Sequence, residues 1–402
     1  MDKDFQHQKE IIERGAEEIL PIKDFDSLLK MSLKENKPLR VKQGFDPTAP
    51  DIHLGHTVCL RRLKQFQELG HQVVLIIGDY TGMVGDPSDK SETRPRLTHE
   101  EVMTNAKTYE KQFFKVLDPE KTEVHYNGKW FKEFEFSEMM NLASKFTVAR
   151  MLERDDFSNR YKNEKAISIH EFFYPLMQGY DSVVIKADVE IGATEQKFNL
   201  LIARKIQEEY GVKPQCILTM PVLPGTDGTI RMSKSAGNYI GIDEPPKEIY
   251  GKTMSIPDDL IYSYFELVTD ASLEDLSLIK EQLNSSDTNP MELKKRLARE
   301  IVTLYYGSEA GGTAEAEFSD IFSKGNIPDD IPEVRVNSGV SVVDIMSDNN
   351  ITSSKGEARR LISQGAVRIN NEKLTDIDYD VNKGKELILK AGKRRFLKII
   401  VD

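Results

Sequence analysis

Leu39-Arg-Val-Lys-Gln-Gly-Phe-Asp-Pro-Thr48, followed by His53-Leu-Gly-His56 and then Val73-Val-Leu-Ile-Ile77, is the stretch that decides the fold. Leu39 and Val41 alternate with Arg40 and Lys42 on the way to Gly44, which is the two-residue period of a short strand. The chain then turns through Gly-Phe-Asp-Pro-Thr and opens a helix near His53. Leu54, Val58, Leu63 and Phe66 recur along that helix at helical spacing, and Gly70 stands where a C-terminal cap belongs. Val73 to Ile77 is an unbroken apolar run, the pattern of a strand buried on both faces. Strand, helix, strand opens a parallel, doubly wound α/β sheet of Rossmann-like type. Ligands of such sheets bind beyond the carboxyl ends of the strands.

Working outward, residues 1–35 read as helix, with Ile11, Ile12, Ile19 and Leu20 set among charged residues. The α/β alternation is expected to continue to about residue 245, giving a catalytic-type domain over 1–245. Within it fall a strand-like Val183 to Ile185, a helix from about Glu195 to Tyr210, and a charged insertion over about 90–165. Residues 246–325 read as a helical region, Pro328 and Pro332 mark a linker over 326–338, and a small α+β module occupies 339–402.

Composition narrows the class. The 402 residues are 39% hydrophobic and 30% charged, too apolar for a disordered chain. Cys59 and Cys216 stand far apart and outside any C-x-x-C pair, which argues against a disulfide framework or a structural zinc; no bound metal is expected. The N-terminus is charged where a secretory leader is apolar, and no apolar run is long enough to span a bilayer, so a soluble, cytoplasmic protein with no membrane partner is expected. Net charge is −11, but unevenly spread: residues 340–402 hold twelve Lys and Arg against nine Asp and Glu, a balance of +3, leaving −14 for the rest. An acidic body with a basic tail suggests that any nucleic acid is gripped locally.

Two short motifs carry chemistry. His53-Leu-Gly-His56 puts two imidazoles on one face at a helix mouth, where free N–H groups and the positive dipole favour phosphate; Gly55 leaves room for a flat base. Arg231-Met-Ser-Lys-Ser235 follows the glycine-rich Pro224-Gly-Thr-Asp-Gly228, and a lysine on such a loop can meet charge building on phosphates. An H-x-G-H after the first strand and an M-S-K-S after the last resemble the class I aminoacyl-tRNA synthetases. Gly44-Phe-Asp-Pro-Thr48, Gly85-Asp-Pro-Ser88 and Tyr174-Pro-Leu-Met-Gln178-Gly-Tyr-Asp181 narrow the resemblance to bacterial tyrosyl-tRNA synthetases. The last stretch has its own physical reading: positions 174, 178 and 181 put a phenol, an amide and a carboxylate on one helix face.

The resemblance implies a role for each matching residue. Asp181 would bond the substrate phenol; Tyr174, Gln178 and Asp86 the α-ammonium group; and Gln196 the carboxyl group. Thr48 and His53 would contact the transferring phosphates. Asp46, Gly55, His56 and Glu195 would hold the rest of ATP, and Met232, Ser233, Lys234 and Ser235 would form the loop, with Lys234 on the pyrophosphate. Catalysis is expected from Thr48, His53, His56 and Lys234. ATP enters as a substrate, as its magnesium complex, with no tightly bound cofactor.

Three stretches depart from the family pattern. Lys42-Gln43 replaces Tyr-Cys of the better-known bacterial subtype, so phenol recognition rests more heavily on Asp181. In Ile191-Gly-Ala-Thr-Glu-Gln196, Ala193 replaces a glycine and Glu195 an aspartate; Arg231 replaces the usual lysine opening the loop motif.

In the C-terminal module, Ser354-Lys-Gly-Glu357 reads as a capping box that opens a helix carrying Lys355, Arg359 and Arg360 and stopping at Gly365. With Ala366 to Ile369 and the strand-like residues to Val401, it resembles an S4 RNA-binding domain, whose basic helix would hold RNA phosphates. Gly392-Lys-Arg-Arg395 adds a second basic cluster. The resemblance implies a homodimeric tyrosine–tRNA ligase acting on tRNA(Tyr). A tryptophanyl-tRNA synthetase shares the fold and both motifs, and a catalytically silent RNA-binding paralogue would keep the same domains; both readings stay open at this point.

Overall fold

In the computed structural model, Arg40–Phe45 lies near the middle of a six-stranded sheet. Residues 2–47, 51–86, 98–285, 289–323, 331–370, 372–382, 386–392 and 395–401 are described, and the chain separates into two units, Met1–Gly311 and Gly312–Asp402. The strands of the first unit are β1 (Glu18–Leu20), β2 (Arg40–Phe45), β3 (Gln72–Ile77), β4 (Thr122–Tyr126), β5 (Val189–Ala193) and β6 (Cys216–Met220), in the order β1-β6-β5-β2-β3-β4. All neighbours are parallel except β1 and β6. From β2 the chain winds one way through β3 and β4, and the other half of the sheet grows outward from β5. The switch point therefore lies between β2 and β5, where a doubly wound sheet opens its binding crevice.

Four expectations are corrected. Val183 to Ile185 is not a strand but the last turn of the helix Phe173–Ile185, and the strand follows it at Val189. A short apolar run in the last turn of a helix cannot be told from a strand by period alone. The stretch expected as one helical segment over 1–35 holds, in its described residues 2–35, two helices, Asp2–Glu13 and Ile22–Glu35, with β1 between them, paired antiparallel to β6 from Glu18 opposite Thr219. The charged stretch 90–165 is more than an insertion, since it supplies β4 to the sheet edge beside β3. Every residue of β4 is only half-buried, so it lacks the apolar run that marks an inner strand. Finally, the stretch expected as a linker contains a strand, Glu333–Val336.

Helices Phe173–Ile185 and Lys197–Glu209 cover one part of the sheet and touch where Gly179 meets Ala203 and Ile206. A Cβ on Gly179 would lie 3.1 Å from Ile206 Cγ1 and 3.2 Å from the Ala203 Cα. Because the obstacle includes backbone, Gly179→Val should destabilise the protein by about 1–3 kcal/mol, seen as a lower urea midpoint with unchanged slope. The helices Pro246–Met254, Ile261–Val268, Leu273–Asn284 and Pro290–Tyr306 also belong to the first unit.

The second unit holds a five-stranded sheet of β7 (Glu333–Val336), β8 (Val367–Ile369), β9 (Glu372–Lys373), β10 (Glu386–Ala391) and β11 (Arg395–Val401), in the order β7-β11-β10-β8-β9. Helices Val342–Asp348 and Lys355–Ser363 close its core through Val343, Met346, Ala358 and Ile362. The capping box is altered at Ser354. Its Oγ accepts from the Glu357 N–H at 3.2 Å, but the Glu357 carboxylate returns to the N–H and hydroxyl of Ser353 at 2.7 and 2.6 Å. Among the described residues, no helix is long and apolar enough to cross a membrane.

Candidate active site

Beyond the carboxyl ends of β2 and β5 lies a cavity of about 260 Å³. Its wall includes Asp46 after β2, Gly55 and His56 from the helix Leu54–Glu68, Asp86, then Tyr174, Gln178 and Asp181 from Phe173–Ile185, and Glu195, Gln196 and Arg231. Nine residues expected at the site thus share one wall, although they come from five separate segments. Thr48 lies outside the described residues, as do Pro87 and Ser88 of the Gly85 motif and Lys393 and Arg394 of the second basic cluster.

The helix mouth is built around His53, which caps Leu54–Glu68. The His53 N–H donates to His56 Nδ1 at 3.3 Å, and the rings stack with centroids 3.8 Å apart. Accepting at Nδ1 leaves the proton of a neutral His56 on Nε2, ready to donate. Burial, then the neighbouring His56, Lys234 and Arg231, pushes His53 down to about 2; burial with Lys234 and Arg231 pushes His56 down to about 4. Both imidazoles are therefore neutral near pH 7 and act as dipolar donors. A Cβ on Gly55 would stand 3.0 Å from the His53 ring and 3.5 Å from Met232 Cβ, so only glycine keeps this edge open.

The second motif is tied to the first. Leu54 N–H donates to Ile240 O at 2.9 Å and Ile242 N–H to Ile52 O at 3.1 Å, so the chain after Ser235 is stitched to the helix mouth. Met232 is buried, the Ser233 N–H donates to Asn238 Oδ1 at 2.8 Å, and the hydroxyls of Ser233 and Ser235 are 3.3 Å apart. Lys234 does not line the cavity in this structure. Its Nζ rests on Asp51 Oδ2 at 2.7 Å, three residues before the first helical turn. Arg231 pairs with Glu195 through contacts of 2.6 and 2.7 Å, so two departures from the family pattern meet each other: the longer carboxylate faces the forked guanidinium.

At the other end, Asp181 is buried, and sequence reasoning missed what holds it. Trp130 Nε1 donates to Asp181 Oδ1 at 2.9 Å and Asn127 Nδ2 to Oδ2 at 3.3 Å. Burial pushes the Asp181 carboxyl up to about 7, against the opposing pull of Lys42 and these two donors. Nothing in the local pattern around Asn127 or Trp130 points across the sheet to Asp181. The only signal is the lone tryptophan following an edge strand. Tyr174 is buried with Asp46 and Asp86 close by; burial, then these carboxylates, raises its phenol well above the ordinary value. Gln196 Nε2 donates to Asp86 Oδ2 at 2.7 Å and its Oε1 accepts from Asn199 Nδ2 at 3.0 Å. The cavity thus has an acidic end, suited to an ammonium and a phenol, and an end of neutral imidazoles and nearby cations, suited to phosphates.

The basic residues of the C-terminal helix lie in the second unit. Lys355, Arg359 and Arg360 are exposed, opposite the buried Ala358 and Ile362, and Lys355 pairs with Asp344 at 3.0 Å.

Residues 34–323 match the family model "tRNA synthetases class I (W and Y)", and residues 323–399 match "Tyrosine--tRNA ligase SYY-like C-terminal domain". The chain is 53% identical over 400 residues to the tyrosine–tRNA ligase of Moorella thermoacetica, covering 99% of this chain and 97% of that protein. It is likewise 53% identical over 406 residues to that of Carboxydothermus hydrogenoformans, covering 99% of each. Among solved structures, a C-terminally truncated mitochondrial tyrosyl-tRNA synthetase of Aspergillus nidulans superposes with a TM-score of 0.65 at 20% identity, covering 80% of this chain and 99% of that one; this likeness concerns the fold.

Proposed function

Because the chain belongs to the tyrosine–tRNA ligase family of class I synthetases, we propose that the crevice at the switch point activates tyrosine with ATP and passes it to the 3′ end of tRNA(Tyr). The observation that carries this reading is the meeting of two distant motifs: the His53–His56 pair and the Lys234 loop are stitched together at one end of a cavity whose other end holds Asp181. In the first step the tyrosine carboxylate attacks the α-phosphate of ATP in line, forming tyrosyl-adenylate and releasing pyrophosphate. In the second, the terminal ribose hydroxyl of the tRNA takes the tyrosyl group and AMP leaves.

Positioning and charge stabilisation supply the catalysis. Asp181, held by Asn127 and Trp130, accepts the phenol O–H, while Tyr174, Gln178 and Asp86 hold the α-ammonium and Gln196 orients the carboxylate. Gly55 admits the adenine, His56 and His53 donate to phosphate oxygens, Asp46 and Glu195 complete the ATP site, and Thr48 contacts the transferring phosphates. Met232, Ser233 and Ser235 shape the loop that carries Lys234. ATP comes as its magnesium complex, with the ion carried on the phosphates.

The C-terminal unit is an S4-type RNA-binding domain in this reading, following a helical anticodon-binding region at 246–325. The exposed Lys355, Arg359 and Arg360 grip tRNA phosphates. Replacing all three by Ala should leave pyrophosphate exchange unchanged and weaken tRNA charging about tenfold or more at physiological salt; equal charging would remove the helix from the RNA contact. The protein works as a cytoplasmic homodimer. Phe136, Val148, Tyr161 and Ile169, between 61% and 81% exposed within one stretch of chain, support a covering partner copy. Amino-acid-dependent ATP–pyrophosphate exchange tests the whole reading: tyrosine should drive it, and exchange driven by tryptophan instead would refute it.

A further inference from the structure

Beneath the cavity floor, outside the residues given a role above, lies a buried ion pair. Lys42 on β2 and Glu190 on β5, directly paired in the sheet, are 0% and 1% exposed, with Lys42 Nζ 2.9 Å from Glu190 Oε1. The ammonium also donates to the Gln178 carbonyl at 2.9 Å and to Ser182 Oγ at 2.8 Å, so its three protons are taken. Glu190 in turn accepts from Gln178 Nε2 at 3.0 Å, from the Ser182 hydroxyl at 3.0 Å and from Gln215 Nε2. Glu190 touches the cavity, but donors already occupy both of its oxygens.

Two buried side-chain oxygens of this network are unmatched, Gln178 Oε1 and Gln215 Oε1, and of the two residues Gln178 is the one that lines the cavity. A side-chain amide can present its oxygen or its NH2 group in either direction, and its surroundings decide which. A carboxylate accepts only, so Glu190 captures the NH2 group and turns the oxygen away from itself. An outward NH2 group would repel a cationic ligand, whereas an outward oxygen accepts from one.

We propose that Glu190, held in place by Lys42, is a positioning residue that fixes the Gln178 amide with its oxygen toward the α-ammonium of the substrate. This rests on the tyrosine-binding reading of the cavity. A buried ion pair adds little stability compared with an apolar pair of the same size, so its retention fits an orienting duty.

Selectivity for the ammonium group gives the test. Binding of tyrosine and of 3-(4-hydroxyphenyl)propanoate, which lacks the amine, is measured by calorimetry on the full-length protein, its Glu190→Gln variant and the Lys42→Met/Glu190→Gln variant. The double variant leaves no buried charge, so it serves where the single variant fails to fold. In both, the tyrosine Kd should rise about tenfold while that of the amine-free analogue moves less than about twofold. In exchange assays KM for tyrosine should rise with kcat and KM for ATP little changed. Equal weakening of both ligands, or an unaltered preference for tyrosine in the double variant, would overturn the inference. If the wild-type protein bound the two ligands equally well, the tyrosine-pocket reading itself would fail instead.

Discussion

Lys234→Ala should lower tyrosine-dependent ATP–pyrophosphate exchange by about 10²–10³-fold while leaving the tyrosine Kd within about twofold of wild type. The separation follows from where Lys234 stands. Its ammonium is on the imidazole end, bonded to Asp51, whereas Tyr174, Gln178 and Asp181 line the cavity from another helix. A cation that reaches the phosphates as charge builds stabilises the transition state more than the bound ground state, so its loss falls on kcat. The backbone bonds joining Ile240 and Ile242 to the helix mouth remain in the variant, which keeps the loop near its place. Loss of tyrosine binding together with exchange would point to collapse of the site, and an unchanged exchange rate would remove this lysine from the chemistry.

Asp181→Asn should cost about a hundredfold in kcat/KM for tyrosine and leave the much weaker use of phenylalanine nearly unchanged. The asparagine keeps the shape but brings an NH2 group into a site where Trp130 and Asn127 already donate to both oxygens, so donor faces donor. The same carboxyl makes recognition depend on pH. Burial lifts it to about 7, so protons compete with the phenol, and tyrosine affinity should fall as the pH drops through 7, up to about tenfold per unit. Folding stability runs the opposite way. A carboxyl whose folded value is raised binds its proton more tightly in the native state, so stability is lost as pH rises from about 4 through 7. Asp181→Asn should flatten both dependences, read by calorimetric binding and by urea unfolding between pH 5.5 and 8.5.

What was legible in the sequence had a period or a compact motif. The alternation of Leu39 to Lys42 and the apolar run from Val73 to Ile77 identify β2 and β3 because a strand's burial leaves a local imprint. The Tyr174, Gln178 and Asp181 spacing survives intact because all three ride one helix. β1 escaped because three residues carry no period, and β4 because an edge strand of half-buried residues carries no apolar run. Val183 to Ile185 misled for the converse reason: on a helix packed against another, neighbouring positions are apolar too. In the site, Asn127, Trp130 and Asp51 were invisible, since their partners lie 54, 51 and 183 residues away. A faint signal for the Lys42 and Glu190 pair did exist. A lone Lys and a lone Glu in two otherwise inward-facing strands of opposite charge invite pairing, but only the β2–β5 register places them side by side.

The joint use of one ATP by His53, His56 and Lys234 is tested most directly by a crystal structure with a non-hydrolysable tyrosyl-adenylate analogue. The phenol oxygen should lie within hydrogen-bond distance of Asp181, the α-ammonium beside Gln178 Oε1, and the adenosine against Gly55, with both imidazoles and Lys234 around the phosphate. An analogue bound with its phosphate remote from either motif would contradict the account.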